Sequence, residues 1–221
     1  MGKLKETWGQ FVQFAKSPQE PALEEIEAAN ASQKTGLLFR LVALDLLCMI
    51  PLMGLLSLLE HFELVNIDDH AFKDLMNYPK WAILLMVVVA APVAEECLFR
   101  IHLARRWNPF SGIIELFATI GKGPEEKAMI VASLRQRWQQ YYWITFYLTA
   151  AFFALVHLAN FDSNAVPVWL APVLIAPQFV TGIFLGYIRV KNGSVGWSMA
   201  LHALHNAILI GPVLLVEMPT A

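Results

Sequence analysis

The chain has 221 residues, 57% of them hydrophobic and only 15% charged, with a mean hydropathy of +0.51. A water-soluble domain carries about 45–50% apolar and about 25% charged residues, so this composition points into a membrane. A formal net charge of −2 without a basic stripe excludes nucleic acid as the main partner. Cys48 and Cys97 lie in separate apolar runs and frame neither a disulfide scaffold nor a zinc site.

Residues 1–36 are polar on balance, and "KETWGQFVQFAK" sets Trp8, Phe11 and Val12 at i, i+3 and i+4, the pattern of an interfacial amphipathic helix. The first apolar run begins near Leu37, behind acidic residues, and is expected to stay as an uncleaved anchor. Five runs reach the roughly 20 residues a bilayer crossing needs: 37–60, 80–104, 140–161, 167–188 and 194–217. Asp45, alone in the first, reads as a contact between helices. Between the second and third runs lies an insert at about 108–138. There Gly123-Pro124 marks a helix start, predicting a cytosolic helix that leads into the third span, with Ile113, Leu116 and Phe117 in an interfacial segment upstream. Pro172 and Pro177 are expected to bend the fourth span, and Gly182 and Gly186 form a GxxxG pair suited to close helix approach. The fold class is therefore all-α, a polytopic transmembrane helix bundle of about five spans. It divides into a 1–36 interfacial segment and one membrane domain over 37–217. Lysines and arginines cluster before the first span, in the 105–137 region and at Arg189 and Lys191, which puts the N-terminus in the cytosol.

Ionisable residues inside a span cost several kcal/mol, about 2.5–3.5 for a central Asp, Lys or Arg on insertion scales, so those retained pair, line a cavity or do chemistry. Glu96 and Arg100 are four apart on one helix face and can form a partly buried ion pair. Glu95 is turned about 100° away and is the carboxylate less neutralised by Arg100, which suits a general base. Phe153 and His157 are four apart in the third span. His202 and Asn206 are four apart in the fifth, with His205 about 60° from His202 as an ambiguous second candidate. Together these residues supply a base, an orienting imidazole and two donors, the parts of a site that activates water against a carbonyl.

The order "EECLFR" at 95–100, "FALVH" at 153–157 and "HALHN" at 202–206 resembles the CPBP intramembrane proteases, the CAAX-processing and bacteriocin-processing family that includes the Ras-converting CAAX endopeptidase. The likeness covers about residues 80–217. It implies an intramembrane endopeptidase with Glu95 as water-activating base, His157 as its partner, His202 and Asn206 stabilising the oxyanion, and Glu96 and Arg100 in support. It also implies a peptide or lipidated-protein substrate in the bilayer. The chain departs from the family in carrying Ile101 where Gly often follows the arginine, and in the longer spacing from Glu95 to His157.

For Glu95 and His157 to meet at one depth, the second helix is expected to run on through "IHLARRW", with Arg105 and Arg106 reaching the interface, and the third to begin outside the membrane near "RQRWQQ". Two histidines and a glutamate could hold zinc. With no HExxH, and with an Asn beside the second His, the expectation is metal-free glutamate chemistry and no cofactor. The alternatives are a non-catalytic membrane scaffold or immunity protein and, with less support from five spans lacking inverted repeats, a proton-coupled transporter.

Overall fold

The computed structural model describes residues 2–65, 77–161 and 168–216, and every regular element among them is helical. Helix α1 (Gly2–Lys16) and the short α2 (Leu23–Ala28) precede α3 (Ala31–His61). Helix α3 starts on a capping box: the Asn30 side chain accepts from the Gln33 N–H, and the Gln33 side chain accepts from the Asn30 N–H. Helix α4 (Lys80–Leu103) changes its winding along its length. It is α-helical over Lys80–Leu84, π-helical over Leu85–Ala90, α-helical over Ala91–Arg100 and 3₁₀ over Ile101–Leu103. Pro92, at the start of the second α stretch, cannot donate to the ladder, and the winding is altered just before it.

The second span therefore does not run on through Trp107, the extent that the sequence predicts. The chain turns at Ala104 (φ −118°, ψ 122°) into a separate 3₁₀ turn, Arg105–Trp107. Buried partners hold this ending in place. Arg189 Nε donates to the Arg100 carbonyl (3.2 Å), Tyr142 Oη to the Leu103 carbonyl (2.9 Å) and Asn108 Nδ2 to the His102 carbonyl (3.1 Å). Carbonyls that a longer helix would have used are thus satisfied by side chains. Asn108 also caps α5 (Pro109–Thr119), accepting from the Phe110 and Ser111 N–H groups. Arg105 pairs with Glu115 at 2.5 Å instead of extending freely to the interface. Ile101, where the resembling family often has Gly, sits at φ −60°, a conformation any L-residue adopts.

Helix α6 (Pro124–Val156) is one 33-residue helix, roughly 50 Å long. It joins the insert to the third span without a break and starts at the Gly123-Pro124 step read from the sequence. A 3₁₀ turn, His157–Asn160, ends it. The fourth span comes as two pieces, Val168–Leu174, which contains the short α7 (Ala171–Leu174), and α8 (Ala176–Asn192), bent by 41° between them. Pro177 lies in the first turn of α8, where its missing N–H costs nothing. Helix α9 (Val195–Val216) is the last described element. Among the described residues four helices are long and apolar enough to cross a membrane, five if the bent pair counts as one crossing.

Helix α8 is the axis of the bundle, packed against α3, α6 and α9. Its Gly182 and Gly186 face α6, where Ala150, Phe153 and Phe146 fill the space beside them. Helix α1, expected at the interface, sends Phe11 into the core: its ring stacks on Phe184 (4.1 Å) and meets Tyr187 edge-on (5.4 Å). Tyr147 Oη ties α6 to the Ala15 carbonyl. The outer faces carry large apolar side chains such as Ile50, Trp81, Leu98 and Trp143, as lipid contact requires.

Candidate active site

Three helices converge on one polar cluster. On α4, Glu96 is fully buried while the Glu95 side chain keeps 27% of its exposure, the difference that a 100° step around a helix produces. Glu96 lies between a guanidinium and an imidazole. Its Oε2 is 3.4 Å from Arg100 Nε, and its Oε1 accepts from His202 Nδ1 at 3.1 Å. Arg100, itself fully buried, lays its guanidinium over the Phe153 ring at 4.6 Å. The expected ion pair is therefore present. It is extended at one end by an imidazole and backed at the other by an aromatic face.

Glu95 Oε2 is buried without a hydrogen-bond partner among the described residues. It faces two imidazoles, His202 Nε2 at 3.9 Å and His157 Nε2 at 4.0 Å. Both separations exceed a direct hydrogen bond and match a gap that one water spans.

The tautomers follow from the partners, because a carbonyl or carboxylate oxygen can only accept. His157 closes α6 as its C-cap and donates from Nδ1 to the Phe153 carbonyl one turn back (2.7 Å), one of the carbonyls a helix end leaves free. Its Nε2 is thereby aimed at Glu95. His202 donates from Nδ1 to Glu96 and likewise turns Nε2 toward Glu95. Phe153 is the floor of the cluster, 4.7 Å from the His157 ring and 5.6 Å from His202.

Asn206 stands one turn beyond His202 on α9, and its Nδ2 donates to the Val87 carbonyl of the π-helical stretch at 2.8 Å. The acceptor fixes the amide orientation, leaving the second N–H of Nδ2 for another partner.

The ambiguous histidine resolves differently. His205 Nδ1 pairs with Asp45 Oδ2 at 2.5 Å, and Thr181 Oγ1 donates to Asp45 Oδ1 at 3.0 Å. Asp45 is fully buried and joins α3, α8 and α9, which is the interhelical contact its isolation implied. His205 belongs to that clasp and not to the Glu95 cluster. The contact from Glu96 to His202 had no sequence signal, since it needs the packing of α4 on α9. Arg189 did have one: an arginine within an apolar run calls for a partner, but it reads as a loop marker when only loop charges are counted. Among the described residues no three His, Cys, Asp or Glu side chains are grouped as metal ligands.

The fold and cluster define a polytopic α-helical membrane protein with a carboxylate–imidazole site shared by three helices. The family model of the type II CAAX prenyl endopeptidase Rce1-like proteins matches residues 77–208, more than half of the chain, and the chain belongs to that family. Glu95, Glu96, Arg100, His157, His202 and Asn206 all fall inside the matched stretch. No curated protein and no solved structure matches the chain.

Proposed function

We propose that this protein is an intramembrane endopeptidase in which Glu95 activates a water to cleave a peptide bond near the membrane face. The observation that carries the reading is the buried, unpartnered Glu95 Oε2, 3.9 and 4.0 Å from two imidazole nitrogens. A water between Glu95 and His157 gives one proton to the carboxylate and hydrogen-bonds through the other to the His157 Nε2 lone pair. Its own lone pair is then directed at the substrate carbonyl. Attack forms the new C–O bond as Glu95 takes the proton. The carbonyl oxygen becomes an oxyanion, accepting from the free Asn206 Nδ2–H and from a protonated His202 Nε2, with Glu96 stabilising the resulting imidazolium. Collapse breaks the C–N bond, and Glu95 returns its proton to the leaving amine.

Glu96 and Arg100 hold this arrangement and do not touch the reacting atoms. Asn206 supports a reaction without zinc, since its free Nδ2–H gives the oxyanion a donor that needs no metal. The family supports a peptide or prenylated-protein substrate reached within the bilayer, and the distribution of basic residues supports a cytosolic N-terminus.

The test is turnover of fluorogenic peptides, prenylated CAAX-type and unprenylated, by the purified protein in detergent. The expected result is cleavage that persists in a chelator and disappears in Glu95→Gln. A folded Glu95→Gln protein with wild-type turnover rejects the assignment.

A further inference from the structure

The Asn206 partner has an origin in the sequence that the site chemistry does not explain. Over Leu85–Ala90 helix α4 runs in the π register, with the Ala91 N–H bonded to the Met86 carbonyl five residues back. Continuing that register, the Val87 carbonyl would take the N–H of residue 92. Residue 92 is proline and has none. Val87 is left with a carbonyl inside a membrane bundle and no helix donor, a state that costs several kcal/mol if unrelieved. The donor comes from another helix: Asn206 Nδ2 at 2.8 Å. Pro92 is itself buried, three residues before Glu95 on the same helix.

We infer that Pro92 is a positioning residue: by depriving Val87 of an in-helix donor it creates the acceptor that locks the Asn206 amide, so that one Nδ2–H is spent on Val87 and the other is presented to the site. A free asparagine in an apolar bundle rotates about χ2 and can turn either its oxygen or its nitrogen toward the substrate. The Val87 carbonyl accepts only from nitrogen, which settles the choice before substrate arrives. This rests on the reading of Asn206 as an oxyanion donor.

The experiment is a double-mutant cycle of Pro92→Ala and Asn206→Ala in the full-length detergent-purified protein, read in two ways. Replacing the proline by alanine restores a backbone N–H at that position, so the Pro92→Ala single variant is expected to fold. In thermal unfolding, Asn206→Ala lowers Tm by about 3 °C or more in the wild-type background, where it strands the Val87 carbonyl. In the Pro92→Ala background it lowers Tm by less than about 1 °C, because the helix supplies the donor. In peptide cleavage, Pro92→Ala lowers kcat about tenfold, the worth of one oriented hydrogen bond, with KM unchanged, and the double variant is no slower than Asn206→Ala alone.

Additive Tm losses, or Pro92→Ala with wild-type kcat, overturn the inference while Asn206→Ala remains slow and the oxyanion reading stands. Coupled Tm losses with Asn206→Ala at wild-type rate overturn the oxyanion reading, and with it the catalytic purpose of the lock, leaving the Val87–Asn206 contact as a structural link between helices.

Discussion

Glu95 and Glu96 are neighbours in the chain, yet one faces two imidazoles across a shared gap without a direct hydrogen bond to either and the other is enclosed by Arg100 and His202. Their variants are expected to fail in different ways. Glu95→Gln keeps the shape and removes the basic carboxylate, so turnover vanishes while the melting temperature stays within about 2 °C of wild type, the range of a neutral substitution. Glu96→Gln leaves a fully buried Arg100 without its counter-charge, and breaking a buried pair costs about 3–5 kcal/mol. Reduced yield and a lowered melting temperature should therefore accompany its loss of activity. Asn206→Ala is expected to retain substrate binding and lose about 10²–10³ in kcat, measured as a fall in kcat with KM held. If Glu95→Gln and Glu96→Gln lose stability equally and neither changes turnover per folded molecule, the cluster is a structural clasp and the scaffold reading prevails. This asymmetry was legible in the sequence because a 100° step per residue separates adjacent side chains whatever the tertiary fold. The destination of His205 was not legible: about 60° from His202 on one helix, it is assigned only by where Asp45 arrives from α3.

Helix α8 fixes the distance between the helices that carry the site, and it does so with two glycines. A Cβ at Gly186 would lie 2.7 Å from Phe146 Cε2, and one at Gly182 would lie 3.3 Å from the Phe153 ring. Phe146 is almost fully buried and cannot swing aside. Gly186→Ala is expected to destabilise by about 1–3 kcal/mol through overpacking, seen as a lower melting temperature in detergent. Gly182→Ala is the milder case in stability, but it presses directly on the ring beneath His157 and His202. The Asp45–His205–Thr181 clasp joins the same helix to α3 and α9. Asp45→Ala, which strands two buried partners, is expected to cost about 1–3 kcal/mol while the kcat of the folded fraction stays within about twofold of wild type, because no group of the Glu95 cluster is touched. The close-approach role of the glycine pair could be read from its spacing, whereas its partner helix could not. The ending of α4 differs from the sequence expectation for a related reason. Nothing local stops a helix at Leu103, and the side chains that cap it, Tyr142 and Arg189, come from residues about 40 and 90 positions away in the chain.

At the scale of the whole molecule the packing ties the N-terminal segment to the insert. Glu20 accepts from the Arg105 backbone N–H (3.1 Å) and from Trp138 Nε1 (2.6 Å), and its carbonyl accepts from Gln139 Nε2 (3.2 Å). Residues before the first span, the turn after the second and the approach to the third therefore meet at one end of the bundle. Sequence counting could place each basic cluster on the same side only statistically, loop by loop. The Glu20 contacts make it one structural unit. Toward the opposite end Leu56, Val65, Leu170 and Leu174 form a buried apolar cluster, and the 31-residue α3 carries the chain about 46 Å from the one end toward the other. A definite labelling pattern follows for single cysteines introduced into a background lacking Cys48 and Cys97. Cysteines at the exposed positions Glu24 and Glu126 should react with a membrane-impermeant maleimide from the cytosolic side, and one at Glu60, in the last turn of α3, only from the other. Labelling of these first two positions from opposite faces contradicts the Glu20 tie and therefore the packing of α1 onto α8. If both label from the non-cytosolic face, the packing stands and the whole protein is inverted, with the turn beyond Arg100 on the non-cytosolic side. Because Glu95 lies only eight residues before Leu103, where α4 ends, the side on which positions 24 and 126 react is also the side nearer the candidate site.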